Sequence, residues 1–375
     1  TFIDLFSGCG GMSLGFEWNG FKELLAIDNW KDALATYEYN RKNTHTLCAD
    51  LSCLSPDKVK EDYNITNVDV IIGGPPCQAY SIAGRAQSPT GMKFDYRNYL
   101  FESFVKIVDA FKPKAFVFEN VPGLLSASPG DVPVRYRIFE AFKAIGYDIR
   151  TPDRLKGSVY CAEDFDVPQK RNRVIIIGTK HDSEFDVEDF YQSLSSQKSK
   201  GPHKTVKDAI GNMPKLYPKD KIVRVGRNNV SHEQHDGEHI DLHIPRYHGE
   251  RDQRLFTEWL ANNMNTYSQQ EKMEFYTKIT GHTSNHVKYR NLEWDKPSPT
   301  IVAHLHKDGY MFIHPDIEQL RTITIREAAL LQSFPIDYKF VASNPYCYKM
   351  IGNAVPVLFA KAIAESMYDV LESKK

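Results

Sequence analysis

Cys77 follows two consecutive prolines in Pro75-Pro76-Cys77-Gln78, directly after the apolar run Val68-Asp69-Val70-Ile71-Ile72-Gly73-Gly74. Two prolines neither extend a helix nor donate to a sheet ladder, so they hold the thiol rigidly at a strand end. Open α/β sheets place their ligands at the carboxyl ends of their strands. A cysteine there is either a nucleophile or a packing thiol, and its proline and polar neighbours make poor core. The following residues 78–98 contain Ser81, Gly84, Arg85, Gly91, Lys93 and Arg97. So long and polar a connection reads as a mobile lid carrying phosphate-contacting groups.

Two further strand ends carry chemistry. Glu119-Asn120-Val121 follows the apolar run 115–118. A carboxyl placed there can donate or share a proton; the alternative is a helix-capping acid before Pro122-Gly123. Gln169-Lys170-Arg171-Asn172-Arg173 leads into Val174-Ile175-Ile176-Ile177-Gly178. Strand alternation predicts Gln169, Arg171 and Arg173 on one face, with a solvated basic edge as the alternative.

Asp4-Leu5-Phe6-Ser7-Gly8-Cys9-Gly10-Gly11 reads as a strand entering a glycine-rich turn and then a helix. Glycines allow close approach of the backbone to a ligand, and a helix start offers free N–H groups. Asp28 ends the second strand at the spacing of an acid that binds ribose hydroxyls. Trp30 could stack on an adenine ring, and Asp50 could accept from its amino group. Together these residues predict an adenosine-containing cofactor. They do not separate NAD from S-adenosylmethionine, although the turn lacks the third glycine of the dinucleotide fingerprint, which tilts the reading away from NAD.

The elements that must position these groups alternate. Strands are predicted over 1–6, 23–27, 68–72, 115–118 and 174–177, with helices over 14–19, 31–40, 99–111 and 134–145. Such alternation predicts an α/β fold with a doubly wound, mostly parallel sheet. From about 183 to 320 the chain is polar and irregular, with one clear helix over 251–263. Helices are then predicted over 324–333 and 356–371. The chain therefore reads as a catalytic domain (1–183 and 321–375) interrupted by a smaller domain (184–320).

Composition is that of an ordinary globular protein: 375 residues, 41% hydrophobic, 25% charged, net charge −1. A near-neutral balance neither supports nor excludes a polyanionic partner, because local patches steer binding. No apolar run approaches the roughly 18–20 residues that span a bilayer. The opening residues read as a core strand, so no signal peptide is expected, and an upstream Met is expected to be missing. Six cysteines without a C-x-x-C pair predict a reduced, cytoplasmic compartment.

At this point the residues closely resemble the DNA (cytosine-5)-methyltransferases, mostly bacterial modification enzymes. The resemblance rests on six ordered motifs: the 4–11 turn, Pro75-Pro76-Cys77-Gln78, Glu119-Asn120-Val121, Gln169 to Arg173, Arg321-Thr322-Ile323-Thr324-Ile325-Arg326-Glu327, and Gly352-Asn353-Ala354-Val355-Pro356. It implies a Rossmann-like fold dependent on S-adenosyl-L-methionine, with S-adenosyl-L-homocysteine as product. It further implies that the Cys77 thiolate adds to C6 of a cytosine flipped out of duplex DNA. By the same resemblance Glu119 would bind N3 and the exocyclic amine, and Arg173 would hold O2 with Arg171 in support. Phe6, Gly8, Gly10, Asp28, Trp30, Asp50, Leu51, Gly74, Pro76, Leu100, Asn353 and Val355 would line the cofactor pocket. Ser81, Arg85, Arg97 and Thr300 would contact DNA, Thr300 within Pro297-Ser298-Pro299-Thr300-Ile301. Three departures stand out. Asp28 replaces a frequent Glu, Asn29 and Trp30 leave the adenine face unassigned, and Asp166 stands where Gly is common.

Residues 184–320 would be the target-recognition domain. Lys204, Arg224, Arg227, Arg246, Arg251, Arg254, Lys288, Arg290, Tyr247 and Tyr289 are candidate DNA contacts there, ordinary surface charge being the alternative for each. His232, His235, His239, His243 and His248 match no standard zinc spacing, and no metal is expected. The expected setting is a bacterial cytoplasm, as a nucleoid-associated monomer working alone or beside a restriction endonuclease. A tRNA cytosine-5 methyltransferase, an NAD oxidoreductase and a catalytically dead DNA-binding protein are the rival readings. The long variable segment argues against the first, and Pro75-Pro76-Cys77-Gln78 with Arg173 against the second. Intact Cys77 and Glu119 argue against the third.

Overall fold

A computed structural model describes residues 1–76, 100–128, 132–225, 228–307 and 309–373. Its described residues form two compact units. The first comprises Thr1–Asp166, Arg171–Pro202 and Ala354–Lys375, and the second Val167–Lys170 and His203–Asn353.

The first unit is built on an eight-stranded sheet. Its strands are β1 (Phe2–Leu5), β2 (Glu23–Asp28), β3 (His45–Cys48), β4 (Val70–Gly73), β5 (Ala115–Asn120), β6 (Tyr147–Ile149), β7 (Val159–Cys161) and β9 (Asn172–Lys180). The two-residue β8 (Gln169–Lys170) belongs to the second unit. The order is β3-β2-β1-β4-β5-β9-β6, with β7 also on β9. The first five strands are parallel, and β9 runs antiparallel to β5, β6 and β7. Central strands are buried along their whole length, as in Val70–Gly73 and Ala115–Asn120. Both faces of such a sheet must be covered by helices, which explains the continuous apolar runs.

Those helices are α1 (Gly11–Trp18), α2 (Lys31–Asn40), α3 (Pro56–Asp62), α4 (Leu100–Phe111) and α5 (Val134–Ala144). Phe104 of α4 meets Phe116 and Phe118 edge-on, and Phe142 of α5 stacks on Phe116 at 4.1 Å. The α6 helix (Val187–Ser196) was not expected from the sequence, where the pattern was taken to break at 183. It buries Val187, Phe190, Tyr191 and Leu194, a one-face spacing. The terminal helix α12 (Val357–Glu372) packs on α1 so closely that a Cβ on Gly15 would lie 2.4 Å from the Lys361 nitrogen.

The second unit is less irregular than the sequence predicts. Besides α8 (Glu250–Ala261) it holds α7 (Val206–Ile210), the hairpin β10 (Leu216–Val225) and β11 (Asn228–Gln234), and α9 (Gln269–Thr280). The α9 helix buries no residue fully, but Phe275, Tyr276 and Ile279 form a half-buried face against the Trp259 and Tyr289 cluster. Its signals were the Ser268–Glu271 capping box and Gly281 in the left-handed C-cap. Strand β12 (Ser298–Pro299) pairs with β8, and α10 (Ile325–Leu331) and α11 (Asn344–Asn353) complete the unit. The first unit resumes at Ala354.

The motif Arg321 to Glu327 explains this boundary. Arg321 donates to both oxygens of Glu327 at 2.7 Å, and both side chains are buried. Glu327 also accepts from the Thr324 backbone N–H at 2.8 Å, capping α10. Arg326 donates to the carbonyls of Asp241 and Tyr338. These groups bind the second unit together.

Candidate active site

The register of the sheet brings three predicted motifs to one edge. Leu5 pairs with Gly73, and Gly73 with Phe118. The next residues, Phe6, Gly74 and Glu119, therefore leave three adjacent parallel strands at the same level. The strand order reverses between β1 and β4, the switch point at which open α/β sheets bind ligands. On the far side of β5, Asn120 pairs with Val174, which brings Arg173 level with the strand end.

Glu119 and Arg173 form an ion pair, Nε to Oε1 at 2.8 Å, with each side chain 12% exposed. Space for the carboxylate comes from Gly74: a Cβ there would lie 2.7 Å from Glu119 Oε2. Asn120 donates from Nδ2 to the Pro75 carbonyl at 3.1 Å and accepts from the Val121 N–H. The proline mount of Cys77 is thus fixed by the residue after Glu119. No role for Asn120 follows from the sequence alone. A buried amide at a strand end, beside two prolines that cannot pair, was the available signal.

Arg171 is buried and donates to the Ala354 carbonyl at 3.0 Å. Burial pushes it well below the usual arginine range, Arg173 adds repulsion, and Glu119 opposes both. Arginine stays protonated in proteins, so the Glu119 carboxylate is the charge that compensates both guanidinium groups. The predicted common face is corrected at Gln169. The strand is interrupted at Arg171, and Gln169 turns into the second unit, where it meets Leu331, Gln332 and Ile301. Asp166, just before, sits at φ +58, the left-handed region that favours glycine and tolerates Asp. That conformation accounts for a Gly or Asp there.

At the end of β1 the backbone is left-handed at Phe6 (φ +59), Gly8 (φ +55) and Gly10 (φ +83). For a bulky residue such as Phe6 this is strained, and strain of this kind gathers at functional sites. Among the described residues a Cβ on Gly8 would meet nothing within 4 Å, so the turn presents bare backbone there. Asp28 Oδ2 accepts from the Gly8 N–H at 2.8 Å and Oδ1 from the Trp30 N–H at 2.7 Å. Burial raises its carboxyl above the ordinary range, while these backbone donors pull the other way. The Asn29 N–H also reaches this carboxylate, and one of its about four lone-pair sites is left for a ligand hydroxyl. Asp28, Trp30, Asp50, Leu51, Gly74, Pro76, Leu100 and Val355 all lie in this first unit. Asp50 is exposed and accepts from the N–H and hydroxyl of Ser52. The donor set, open glycine backbone with adjacent carboxylates, fits an adenosine cofactor.

Other predicted residues fall elsewhere. Cys77, Ser81, Arg85 and Arg97 lie outside the described residues, as do Arg227 and the lid 78–98. Asn353 and Thr300 belong to the second unit, where the Thr300 hydroxyl donates to the Lys170 carbonyl at 2.7 Å. Several candidate DNA contacts in that unit have structural duties instead. Tyr289 is buried beside Trp259, and Arg246 donates to the carbonyls of Leu305 and His306 while lying 4.2 Å over Tyr348. Arg290 is largely buried, which lowers its proton affinity. Lys204, Arg224, Arg251, Arg254 and Tyr247 are exposed. His232 and His243 bond the carbonyls of Gln319 and Pro214, and His248 bonds Thr322. Among the described residues, no cluster of His, Cys, Asp or Glu is placed to hold a metal. No helix of the described residues is long and apolar enough to cross a membrane.

With this geometry in place, comparison with known proteins is decisive. The sequence profile of the C-5 cytosine-specific DNA methylases matches residues 1–369. The chain belongs to that family. It is a DNA cytosine-5 methyltransferase, and methylation by this family depends on S-adenosylmethionine. The chain is 38% identical to the type II methyltransferase M.Bpa9945I of Bacillus paralicheniformis, over 82% of this chain and 71% of that one. It is 34% identical to the type II methyltransferase M1.HphI of Haemophilus parahaemolyticus, over 98% and 86% respectively. A prophage-encoded E. coli protein described as a DNA modification methyltransferase superposes with a TM-score of 0.68 at 27% identity, covering 99% of both chains.

Proposed function

We propose that this methyltransferase modifies a short DNA sequence by a covalent route through Cys77, with Glu119 and Arg173 binding the target base. The observation that carries this reading is the Glu119–Arg173 pair at the strand edge where Asn120 fixes Pro75. Cytosine C5 is a weak nucleophile until a thiolate adds to C6 and makes the ring enamine-like. Glu119, carrying a proton when the base is bound, would donate to N3 and accept from the exocyclic amine, drawing electron density toward N3 as the C6–S bond forms. Arg173 would hold O2, with Arg171 in support. When bound, S-adenosyl-L-methionine supplies the methyl that C5 takes. The C5 proton then leaves to a base, the C6–S bond breaks, and the 5,6 double bond returns with the thiolate.

Gly8, Gly10, Asp28 and Trp30 would hold the cofactor, with Asp28 accepting from ribose hydroxyls. A cytosine inside a duplex is out of reach of a strand-end thiol, so the base must be extruded. Residues of the second unit would read the sequence, Arg toward guanine and Asn or Gln toward adenine. The type II names of its relatives support a place beside a restriction endonuclease of the same specificity.

Bisulfite sequencing of DNA treated with the enzyme and S-adenosylmethionine tests this. We expect protected cytosines at one recurring short sequence. Protection scattered without a shared sequence contradicts sequence specificity, and methyl transfer to tRNA alone contradicts the DNA reading.

A further inference from the structure

The glycine turn rests on a buried charged assembly that neither the base site nor the cofactor contacts use. Arg41 follows α2 and is 7% exposed. Its Nη2 donates to the Gly10 carbonyl at 2.8 Å, its Nε donates to Glu17 Oε2 at 2.8 Å, and its guanidinium lies 4.5 Å over the Tyr37 ring. The fit is close: a Cβ on Gly10 would stand 2.4 Å from Arg41 Nη1.

Two carboxyl groups are buried beside this contact. Ser13 Oγ lies 2.5 Å from Asp4 Oδ2 and 3.0 Å from Glu23 Oε1, and the Tyr37 hydroxyl donates to Glu23. Burial raises the proton affinity of both acids, and the Arg41 charge opposes this at each. One guanidinium therefore balances two buried acids and holds the end of the turn. The start of the same turn is held by Asp28 through the Gly8 N–H.

We infer that Arg41 is a positioning residue for cofactor binding, fixing the Gly8–Gly10 backbone by its hydrogen bond to the Gly10 carbonyl. The inference rests on the reading of that turn and Asp28 as the cofactor end. Arg41 touches neither the target base nor the reacting atoms. Its loss should loosen the turn and weaken the cofactor while leaving the methyl-transfer step intact.

The test uses the full chain with Arg41→Met and Arg41→Lys. Calorimetric titration with S-adenosylhomocysteine gives the Kd, and methylation rates against S-adenosylmethionine concentration give KM and kcat. A charge-assisted hydrogen bond lost at the turn should raise Kd and KM about tenfold in Arg41→Met, with kcat within about twofold. Arg41→Lys keeps the charge but not the fork, and should fall between it and wild type. Should Arg41→Met not fold, Arg41→Lys decides alone. A kcat loss at unchanged KM, which a smaller folded fraction would produce, overturns the inference, and so does unchanged KM and Kd. Asp28→Ala separates the two readings. If it binds cofactor as wild type does, the cofactor end is misassigned whatever Arg41 does.

Discussion

Arg173 Nε lies 2.8 Å from Glu119 Oε1, joining the ends of antiparallel strands β5 and β9. Each group is the other's compensating charge, so removing either leaves a desolvated ion behind. On the proposed reading this pair would face the base, Glu119 toward N3 and the amine and Arg173 toward O2. Glu119→Gln is expected to lower kcat by about 10²-fold or more, the loss of a charged group that acts on the transition state. S-adenosylhomocysteine affinity should stay within about threefold. Steady-state methylation and calorimetry check this, and an unimpaired kcat would remove Glu119 from the chemistry.

Gly74 makes room for that carboxylate. In Gly74→Ala the new methyl would fall 2.7 Å from Glu119 Oε2, and Arg173 restricts the carboxylate's retreat. Misplacement of a catalytic group by under an ångström costs about tenfold or more in rate. We expect kcat to drop with Tm little changed, followed by methylation assays and thermal melts. Gly8→Ala should behave differently. Its Cβ would meet nothing within 4 Å among the described residues, but φ +55 strains any side-chain-bearing residue, so the cofactor KM should rise instead.

Much of this was legible because the α/β half is locally consistent. Apolar runs long enough to be buried on both faces gave β1, β2, β4, β5 and β9, and α2 falls over Lys31–Asn40 as expected. Cys77, Glu119 and Arg173 stood out as reactive or charged groups at the ends of such runs. The pairing of Glu119 with Arg173 was not legible, because it depends on β9 inserting antiparallel beside β5. Nor was the split at residues 166–171, where the four residues Val167–Lys170, with β8 among them, belong to the second unit. The second unit was hardest, since α9 has only a short, half-buried apolar face and the β10–β11 hairpin contains Pro218 and few apolar alternations. His232, His243 and His248 bond backbone carbonyls and a hydroxyl there, roles that no spacing in the sequence marks.

The Asp4–Glu23 assembly predicts a pH dependence of stability. Burial raises Glu23 to about 7 from an ordinary 4.5, and Asp4 moves in the same direction. An acid with a raised folded pKa contributes stability that is full below its unfolded pKa. That stability is lost as pH rises through the folded value. The wild type should therefore lose stability between about pH 4.5 and 7, by at most about 3 kcal/mol from Glu23. Glu23→Gln should flatten this slope. Denaturant midpoints at pH 5 and pH 8 check it, and identical slopes in both proteins would show that Glu23 does not titrate there.

The covalent route is tested most directly with duplex DNA in which 5-fluorocytosine replaces cytosine. Fluorine cannot leave C5 as a cation, so an enzyme that adds a thiolate to C6 is trapped after methyl transfer. With S-adenosylmethionine present, the account predicts a denaturant-resistant protein–DNA complex whose peptide map places the link at Cys77, and none with Cys77→Ser. Methylation of ordinary cytosine at C5 without any trapped complex, or a complex mapped to another residue, would contradict it.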